Sequence, residues 1–225
     1  MKILIIVASE RPPSPDLFPD LPHAYATQIE KLREAGNIIR VFAVDDRTTP
    51  GGISRNVRQL RQEIERHQPD LLVTYYGTVT AAVTRLAAGR IPYIVTFRGS
   101  DLLGTSNPGL AWRLRDWTGR RLSLWAAAGA RQIQVNGQGL RRSLPEKYRH
   151  KTHNIPNGID TDTFQPLPLA EARRQLGWDP DERVILFYSG VGSGQVVKNR
   201  PLAQAAVDHL QANGQPVRLQ PIATL

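Results

Sequence analysis

The sequence of 225 residues contains no cysteine. Disulfides, thiolate metal sites and a cysteine nucleophile are therefore excluded, and the absence is typical of a protein from a reducing cytoplasm. Long hydrophobic runs are also missing, which excludes a conventional membrane-spanning helix and leaves only association with a membrane surface open. The apolar run near the N-terminus is too short for a signal peptide, and we interpret it as a buried strand.

Acidic residues are scarce relative to basic ones. Twenty-nine Lys and Arg oppose 20 Asp and Glu, which gives a formal net charge of +9. This charge favours encounters with phosphates, nucleotides or anionic lipid headgroups, but it does not choose among them. The length and the 40% hydrophobic content suffice for one full core and part of another.

Short Val/Ile-rich runs alternate with amphipathic segments along the first two thirds of the chain. The runs are residues 2–8, 38–44, 70–75, 92–97, 132–135 and 152–155. They are apolar on both faces, as expected of strands buried in a parallel sheet. The segments between them repeat at helical spacing, for example at Tyr25, Ile29 and Leu32. The alternation predicts an α/β fold with a doubly wound, Rossmann-like parallel sheet.

The last third of the chain predicts a second unit. A short helix ending at Gly177 lies within a linker, and a strand, a Gly-rich loop, a helix and a strand follow it. We expect a first domain over 1–165, a linker over 166–182 and an incomplete second Rossmann-like unit over 183–225. One βαβ unit leaves a strand edge open, so we expect a further segment or a partner chain to complete it.

The end of the fourth predicted strand runs into Arg98, Gly99, Ser100 and Asp101. Ligands of open α/β sheets bind beyond the carboxyl ends of the strands, which makes this segment the strongest candidate site. Arg98 could form a bidentate contact with a phosphate, and Asp101 could accept a hydrogen bond from a sugar hydroxyl. The alternative is that Ser100 or Asp101 only caps a turn.

The Gly-rich loop that begins at Gly190 precedes Lys198 and Asn199. Backbone amides, a helix N-terminus and an ammonium group could together hold a diphosphate there. The loop is neither a P-loop nor a dinucleotide fingerprint, and a flexible loop is the alternative interpretation.

No metal site is predicted. Two D-x-D segments begin at Asp160 and Asp179, but nothing nearby in the sequence adds further ligands. The five histidines lack metal-like spacing, and only His23 follows a predicted strand closely enough to approach the chemistry.

A basic helix interleaved with tryptophans is predicted over 110–128. Its aromatic and basic residues are Trp112, Arg113, Arg115, Trp117, Arg120, Arg121 and Trp125. Such a helix could lie on an anionic bilayer or bind nucleic acid. It could equally be an ordinary helix whose tryptophans pack on the sheet while its arginines face solvent.

Three stretches, in this order, resemble the retaining glycosyltransferases of family 4, which have the two-domain GT-B architecture. They are residues 91–101 (Ile-Pro-Tyr-Ile-Val-Thr-Phe-Arg-Gly-Ser-Asp), residues 155–164 (Ile-Pro-Asn-Gly-Ile-Asp-Thr-Asp-Thr-Phe), and residues 184–187 (Val-Ile-Leu-Phe) with Lys198-Asn199 behind them. The Pro-Asn-Gly-Ile-Asp element is the more specific signal. The similarity spans nearly the whole chain.

The resemblance implies an N-terminal acceptor-binding domain and a C-terminal domain that binds a nucleotide-sugar donor without a metal or other cofactor. It implies a reaction centre at Arg98, where relatives commonly have His, with Ser100 and Asp101. Asn157 and Gly158 would form the interdomain loop, and Lys198 would contact the donor diphosphate. Gly190 joins these donor-binding candidates through the Gly-rich loop described above, not through the resemblance. The family's acidic E-x7-E motif would lie downstream of Leu225, so we do not expect these 225 residues to catalyse transfer alone.

The leading hypothesis is a cytoplasmic glycosyltransferase that moves a sugar, with retention, from a nucleotide-sugar to a glycan or lipid-linked acceptor. Peripheral contact with an anionic inner membrane surface fits the basic helix. Two alternatives stay open. One is a non-catalytic binding module that needs a partner chain, and the other is a basic protein that associates with membranes or, less expected, with nucleic acid.

Overall fold

A computed structural model describes residues 1–9, 23–105, 109–188 and 198–222 of the chain. The chain divides into two compact units, Met1–Ile159 and Asp160–Leu225. The domain boundaries predicted from the sequence stay predictions.

The first unit is built on a six-stranded parallel sheet. Its strands, in chain order, are β1 (Lys2–Ala8), β2 (Ile38–Val44), β3 (Leu71–Tyr75), β4 (Tyr93–Phe97), β5 (Gln132–Val135) and β6 (Thr152–Asn154). The helices between them are α1 (His23–Glu34), α2 (Pro50–His67), α3 (Thr78–Ala87), α4 (Ser100–Leu103), α5 (Leu110–Gly129) and α6 (Gln138–Ser143), with a 3₁₀ helix over Glu146–Lys151. The strand order is β2-β1-β3-β4-β5-β6.

Apolar clusters cover both faces of this sheet. Alternate residues of β1 divide between them, because Ile5 joins the cluster that contains Ile29 of α1, whereas Ile6 joins the larger cluster on the other side. Leu60 of α2 and Ala126 of α5 are fully buried in that larger cluster. The predicted doubly wound parallel sheet is confirmed, since helices from both sides shield strands that are apolar on both faces.

Residues that flank α2 define both of its ends. Thr49 caps α2 by accepting a hydrogen bond from the Gly52 amide at 3.0 Å, and Pro50 occupies the first turn. At the other end Gln68 adopts a left-handed conformation with φ +46°.

The strand order reverses between β1 and β3. β2 lies on one side of β1, and β3, β4, β5 and β6 follow on the other. Helices that leave neighbouring strands toward opposite faces open a crevice at such a point, outside the carboxyl ends of the strands. The residues after β3 and β4 therefore lie at the edge of the sheet where open α/β folds bind ligands.

The second unit contains α7 (Leu169–Leu176), β7 (Arg183–Tyr188), α8 (Arg200–Ala212) and β8 (Val217–Ile222), with β7 and β8 paired in parallel. Gly177 ends α7 in the left-handed conformation that the sequence predicts. Val207 and Val217 are buried, whereas Leu186 and Leu202 are exposed. The described part of this unit thus has a much thinner core than the first.

The basic helix is present as α5, but its tryptophans do not pack on the sheet. Trp112, Trp117 and Trp125 are 39%, 56% and 40% exposed, and the helix contributes Ser123, Ala126 and Ala127 to the interior instead. The interpretation of an ordinary helix with buried tryptophans is wrong, because small residues occupy the face that packs inward. Across the described ranges, no helix combines the length and the apolar character needed to cross a membrane.

Candidate functional site

Arg98 lies directly beyond β4 and is stacked on two aromatic rings. Its guanidinium carbon is 5.0 Å from the ring centroid of Tyr25 in α1 and 5.4 Å from that of Tyr75 at the end of β3. The two rings contact each other, with centroids 4.7 Å apart. The cation therefore lies beside the crevice between β1 and β3, against the quadrupoles of both rings.

The hydrogen bonds of the Arg98 guanidinium are unevenly distributed. Nη1 donates to Oδ1 of Asn157, which follows β6 in the Pro-Asn-Gly-Ile-Asp element. Nε and Nη2 are shielded from solvent, and neither has a hydrogen-bond partner within the described ranges. The structure thus brings together two of the predicted residues, Arg98 and Asn157. The adjacent Gly158 is exposed, and no atom lies within 4 Å of where its Cβ would be.

Asp101 is buried, and backbone amides occupy its carboxylate. Oδ1 accepts hydrogen bonds from the Gly99 amide at 2.8 Å and the Arg98 amide at 3.1 Å, while Oδ2 accepts from the Gly77 amide at 2.9 Å. Burial raises the pKa of the Asp101 carboxyl, and these amides oppose the increase. This placement gives Asp101 the turn-holding role that was the alternative in the sequence, and it leaves little capacity for a sugar hydroxyl.

Gly77 has no space for a side chain. A Cβ there would lie 2.4 Å from the Ser123 hydroxyl and 2.9 Å from Cε1 of Phe97. The Ser123 hydroxyl, supplied by α5, donates to the Asp101 carbonyl and accepts from the Thr78 amide, both at 2.8 Å. Three elements are therefore joined at the carboxyl ends of β3 and β4.

The turn after β3 has an unusual backbone. Tyr76 and Thr78, on either side of Gly77, have φ values of +85° and +54°. Positive φ in a β-branched residue such as Thr78 is costly, and backbone strain of this kind occurs preferentially at functional sites. The Tyr76 hydroxyl is 2.7 Å from the hydroxyl of Ser100, the first residue of α4. Ser100, the third predicted site residue at this edge, is thus held by the strained turn.

Two tyrosines of the crevice remain protonated far above neutral pH. Burial raises the pKa of Tyr25, and it raises the pKa of Tyr75 to about 12, although the neighbouring Arg98 cation opposes both increases. The Tyr75 hydroxyl is buried and has no hydrogen-bond partner within the ranges that the structure describes. Both phenols are therefore neutral groups that can donate a hydrogen bond.

The predicted diphosphate residues belong to the second unit. Gly190 and the glycine-rich loop lie outside the described residues. Lys198 is exposed, and its ammonium is 6.0 Å from the ring centroid of Tyr188. Asn199 caps α8, with its side-chain oxygen 3.4 Å from the Leu202 amide. The role of Lys198 stays a prediction.

Both D-x-D segments are turns. Oδ1 of Asp160 accepts from the Asp162 amide at 3.0 Å, and Oδ1 of Asp179 accepts from the Asp181 amide at 2.8 Å. These carboxylates stabilise their own loops. The described residues contain no group of three His, Asp or Glu able to hold a metal ion; residues 10–22, 106–108, 189–197 and 223–225 are outside this statement. His23 begins α1.

Sequence reasoning missed the aromatic half of the site. Tyr75 ends β3, and Tyr76 follows β3 as directly as Arg98 follows β4, so the same rule for carboxyl ends would have identified them. Tyr25 was assigned only to the packing stripe of α1. Ser123 carries no sequence signal, because a small residue on the inner face of a helix is indistinguishable from ordinary packing.

The family model for Glycosyltransferase Family 4 matches residues 6–163, a range that contains the Arg98–Asn157 pair and most of the sheet. The chain belongs to glycosyltransferase family 4. The predicted resemblance is thereby confirmed for the first unit of this family 4 chain. No curated protein sequence matches it significantly.

Solved structures with this fold include a sucrose-phosphate synthase and several UDP-GlcNAc 2-epimerases. Sucrose-phosphate synthase from Thermosynechococcus elongatus superposes with a TM-score of 0.67 at 13% identity, covering 98% of this chain and 70% of that one. UDP-GlcNAc 2-epimerase from Methanocaldococcus jannaschii superposes with a TM-score of 0.55 at 11% identity, covering 98% of this chain and 65% of that one. UDP-GlcNAc 2-epimerase from Neisseria meningitidis bound to UDP-GlcNAc superposes with a TM-score of 0.51 at 13% identity, covering 99% of this chain and 73% of that one.

At such low identities these likenesses establish the fold of the family 4 chain and nothing finer. The chain spans 65% of the length of the Methanocaldococcus jannaschii epimerase. Catalysis, donor and acceptor consequently belong to the proposals below.

Proposed function

We propose that this family 4 chain takes part in the transfer of a sugar from a nucleotide-sugar donor to a glycan or lipid-linked acceptor, with retention at the anomeric carbon. The observation that carries the proposal is the family match over a crevice where Arg98 and Asn157 meet. The neighbour from Neisseria meningitidis, which binds UDP-GlcNAc, supports a nucleotide-sugar as the donor.

In this proposal the acceptor lies beside Arg98 and Ser100, and Asp101 positions the loop that carries both. Gly158 lets the loop of Asn157 approach the substrates without a side chain in the way. Gly190 and Lys198 contact the donor diphosphate, and the Lys198 charge stabilises the leaving nucleoside diphosphate as negative charge develops on it. No metal or organic cofactor is assigned a role.

The test is transfer of radiolabelled sugar from a panel of nucleotide-sugars to oligosaccharide and lipid-linked acceptors, by the chain together with the further segment or partner chain that we expect to complete its second unit. We expect one donor to be consumed with release of its nucleoside diphosphate, and we expect the same donor to stabilise the protein against heat. Lys198→Ala should weaken binding of the donor, whereas Lys147→Ala, at an exposed lysine within the 3₁₀ helix, should not. Absence of both transfer and thermal stabilisation across the panel would refute the proposal.

We also propose that α5 contacts an anionic membrane surface from the cytoplasmic side. Leu110, Leu114 and Trp117 follow helical i, i+4, i+7 spacing and are 82%, 60% and 56% exposed. Ser123 and Ala126, fully buried, lie on the opposite face of the helix. An outward apolar stripe with arginines beside it has the composition of a helix that lies in the plane of a bilayer interface.

The arginines of α5 support anionic lipid over nucleic acid as the partner. Arg115 and Arg121 lie 4.9 Å from the ring centroids of Trp112 and Trp117, so the cations accompany the aromatic groups. Each arginine near an anionic surface contributes about 1 kcal/mol. Nucleic acid would instead require a continuous line of cations, whereas the exposed stripe is formed by Leu110, Leu114 and Trp117, and among the arginines of α5 only Arg121 continues it.

Sedimentation with vesicles tests this surface. The protein should bind phosphatidylglycerol–phosphatidylcholine vesicles and not phosphatidylcholine alone. The double variant Leu114→Glu/Trp117→Glu should bind at least about tenfold more weakly. Leu169→Glu, a matched change at an exposed leucine of α7, should bind as the wild type does. Equal binding by the double variant, or salt-sensitive retention of DNA in place of vesicles, would contradict the assignment.

A further inference from the structure

We infer that the Nε–Nη2 edge of Arg98 is a binding fork for an oxyanion, a carboxylate or phosphate carried by the acceptor. The assignment of this oxyanion to the acceptor rests on the proposed function, whereas the oxyanion site itself rests on the geometry alone. The chemistry of Arg98 would then make the acceptor an acidic sugar or a phosphorylated compound in place of a neutral glycan.

The guanidinium has one edge in use and one edge free. Nη1 is committed to Oδ1 of Asn157. Nε and Nη2 project their N–H groups in parallel from the same side of the planar group, which is the arrangement that holds two oxygens of a carboxylate or phosphate at once. Both atoms are shielded from bulk water and lack a partner within the described part of the chain. The unsatisfied donors are therefore those best suited to a bidentate contact.

No protein carboxylate neutralises this cation within the described ranges. Asp101 is the nearby acid, but its oxygens accept from the amides of Gly77, Gly99 and Arg98 itself, not from the guanidinium. Arg98 forms no ion pair with any described residue. Two shielded guanidinium nitrogens without an acceptor or a counter-charge are costly, and an anionic ligand would reduce that cost.

The surroundings hold the fork in position before a ligand arrives. The guanidinium is stacked on the rings of Tyr25 and Tyr75, and Asn157 fixes its third nitrogen. Little side-chain freedom then remains to be lost on binding. The Tyr75 hydroxyl, buried and unpartnered within the described ranges, is a further neutral donor in the same cluster. Lysine has neither the planar stacking surface nor the parallel donors, so it cannot replace Arg98 here.

Side-chain NMR of Arg98 tests the inference directly. The ¹H–¹⁵N signal of Nε, assigned by its loss in Arg98→Lys, is followed while inorganic phosphate, acetate or uridine diphosphate is added to the whole chain. Phosphate or acetate should shift the signal in a saturable way. Arg98→Lys should weaken binding at least about tenfold although it keeps the charge. Arg85→Lys, at an arginine stacked on Trp125 with a centroid distance of 4.1 Å, is the matched control and should bind normally.

Unchanged affinity in Arg98→Lys, or no shift of the Arg98 signal, would overturn the fork. A shift with uridine diphosphate but with neither simple oxyanion would overturn its assignment to the acceptor. If Arg98→Lys does not fold, the Nε signal is assigned through the Arg98 backbone by triple-resonance spectra, and the titration of the wild-type signal decides alone. The titration involves no transfer step. A protein that transfers no sugar can therefore still show the shift of the Arg98 signal. A transferase for neutral acceptors would transfer sugar but show no such shift.

Discussion

A carboxylate that accepts hydrogen bonds from three backbone amides can hold a loop, but little of its capacity remains for a substrate. Asp101 has this position, because its oxygens join the amides of Gly77, Arg98 and Gly99. At the scale of single residues, Asp101 therefore positions the loop, whereas Arg98 retains the donor nitrogens that the proposed oxyanion would use.

Asp101→Asn should destabilise the protein by about 1–3 kcal/mol, because an amide NH₂ would face a backbone N–H that now has an acceptor. The pH dependence follows from the raised pKa of Asp101. The folded state holds this proton more tightly than the unfolded state, so between the ordinary pKa of 3.8 and the raised folded-state pKa the contribution of Asp101 to stability falls as pH rises. Urea unfolding of both proteins across this window should show the decline in the wild type and not in the variant. A decline of equal size in both would contradict it.

Tyr75 predicts a second pH effect, at alkaline pH. Its pKa is raised to about 12 in the folded state, so from pH 10 upward the unfolded state loses the proton first and stability falls. In Tyr75→Phe the free energy of unfolding should fall by about 2 kcal/mol less than in the wild type over this alkaline range. Tyr148→Phe, at a tyrosine within the 3₁₀ helix, serves as the control. Identical alkaline unfolding of Tyr75→Phe and the wild type would show that Tyr75 ionises normally.

At the scale of elements, the turn between β3 and α3 has the tightest packing of the site. Gly77→Ala should cost about 1–3 kcal/mol because its Cβ would overlap the Ser123 hydroxyl and the Phe97 ring. Gly137→Ala, before α6, is the matched control, since no atom lies within 4 Å of its Cβ position. Thermal unfolding measures both variants. Equal melting temperatures would mean that the turn yields without cost.

The elements themselves were largely predictable from the sequence. β1, β3 and β4 are largely apolar on both faces, as expected of strands buried in a parallel sheet, and the prediction of each of the six strands is confirmed to within about two residues. The orientation of α5 was not predictable. Its Trp and Leu residues are the large apolar groups of the segment, yet Ser123, Ala126 and Ala127 face inward because the close approach of α3 leaves space only for small side chains.

The site was predictable only where a residue follows a strand directly. Arg98, Ser100 and Asp101 were identified on that basis. The contact between Arg98 and Asn157 joins residues that are 59 positions apart, and the stacking on Tyr25 depends on the fold. Neither leaves a local pattern in the sequence. That the Asp101 carboxylate accepts its hydrogen bonds from backbone amides is likewise visible only in the three-dimensional structure.

At the scale of the whole molecule, the two units differ in how much apolar surface they bury. The central strands β1 and β3 are enclosed on both faces, whereas much of β7 is exposed. Amide hydrogen exchange should therefore be much faster in β7 and β8 than in β1 and β3. Mass spectrometry of peptic fragments measures the difference. Equal protection in the two sheets would show that the second unit is stabilised by more than its described core.

The central claim is that this family 4 chain supports sugar transfer with retention. Its most direct test follows the anomeric proton of the product by ¹H NMR while an α-linked nucleotide-sugar and an acceptor carrying a phosphate or carboxylate are incubated with the protein, together with the further segment or partner chain that we expect to complete its second unit. We predict the small coupling constant of an α-glycoside that grows in step with the released nucleoside diphosphate. A β-glycoside would contradict retention, and a donor that is left intact would contradict transfer itself.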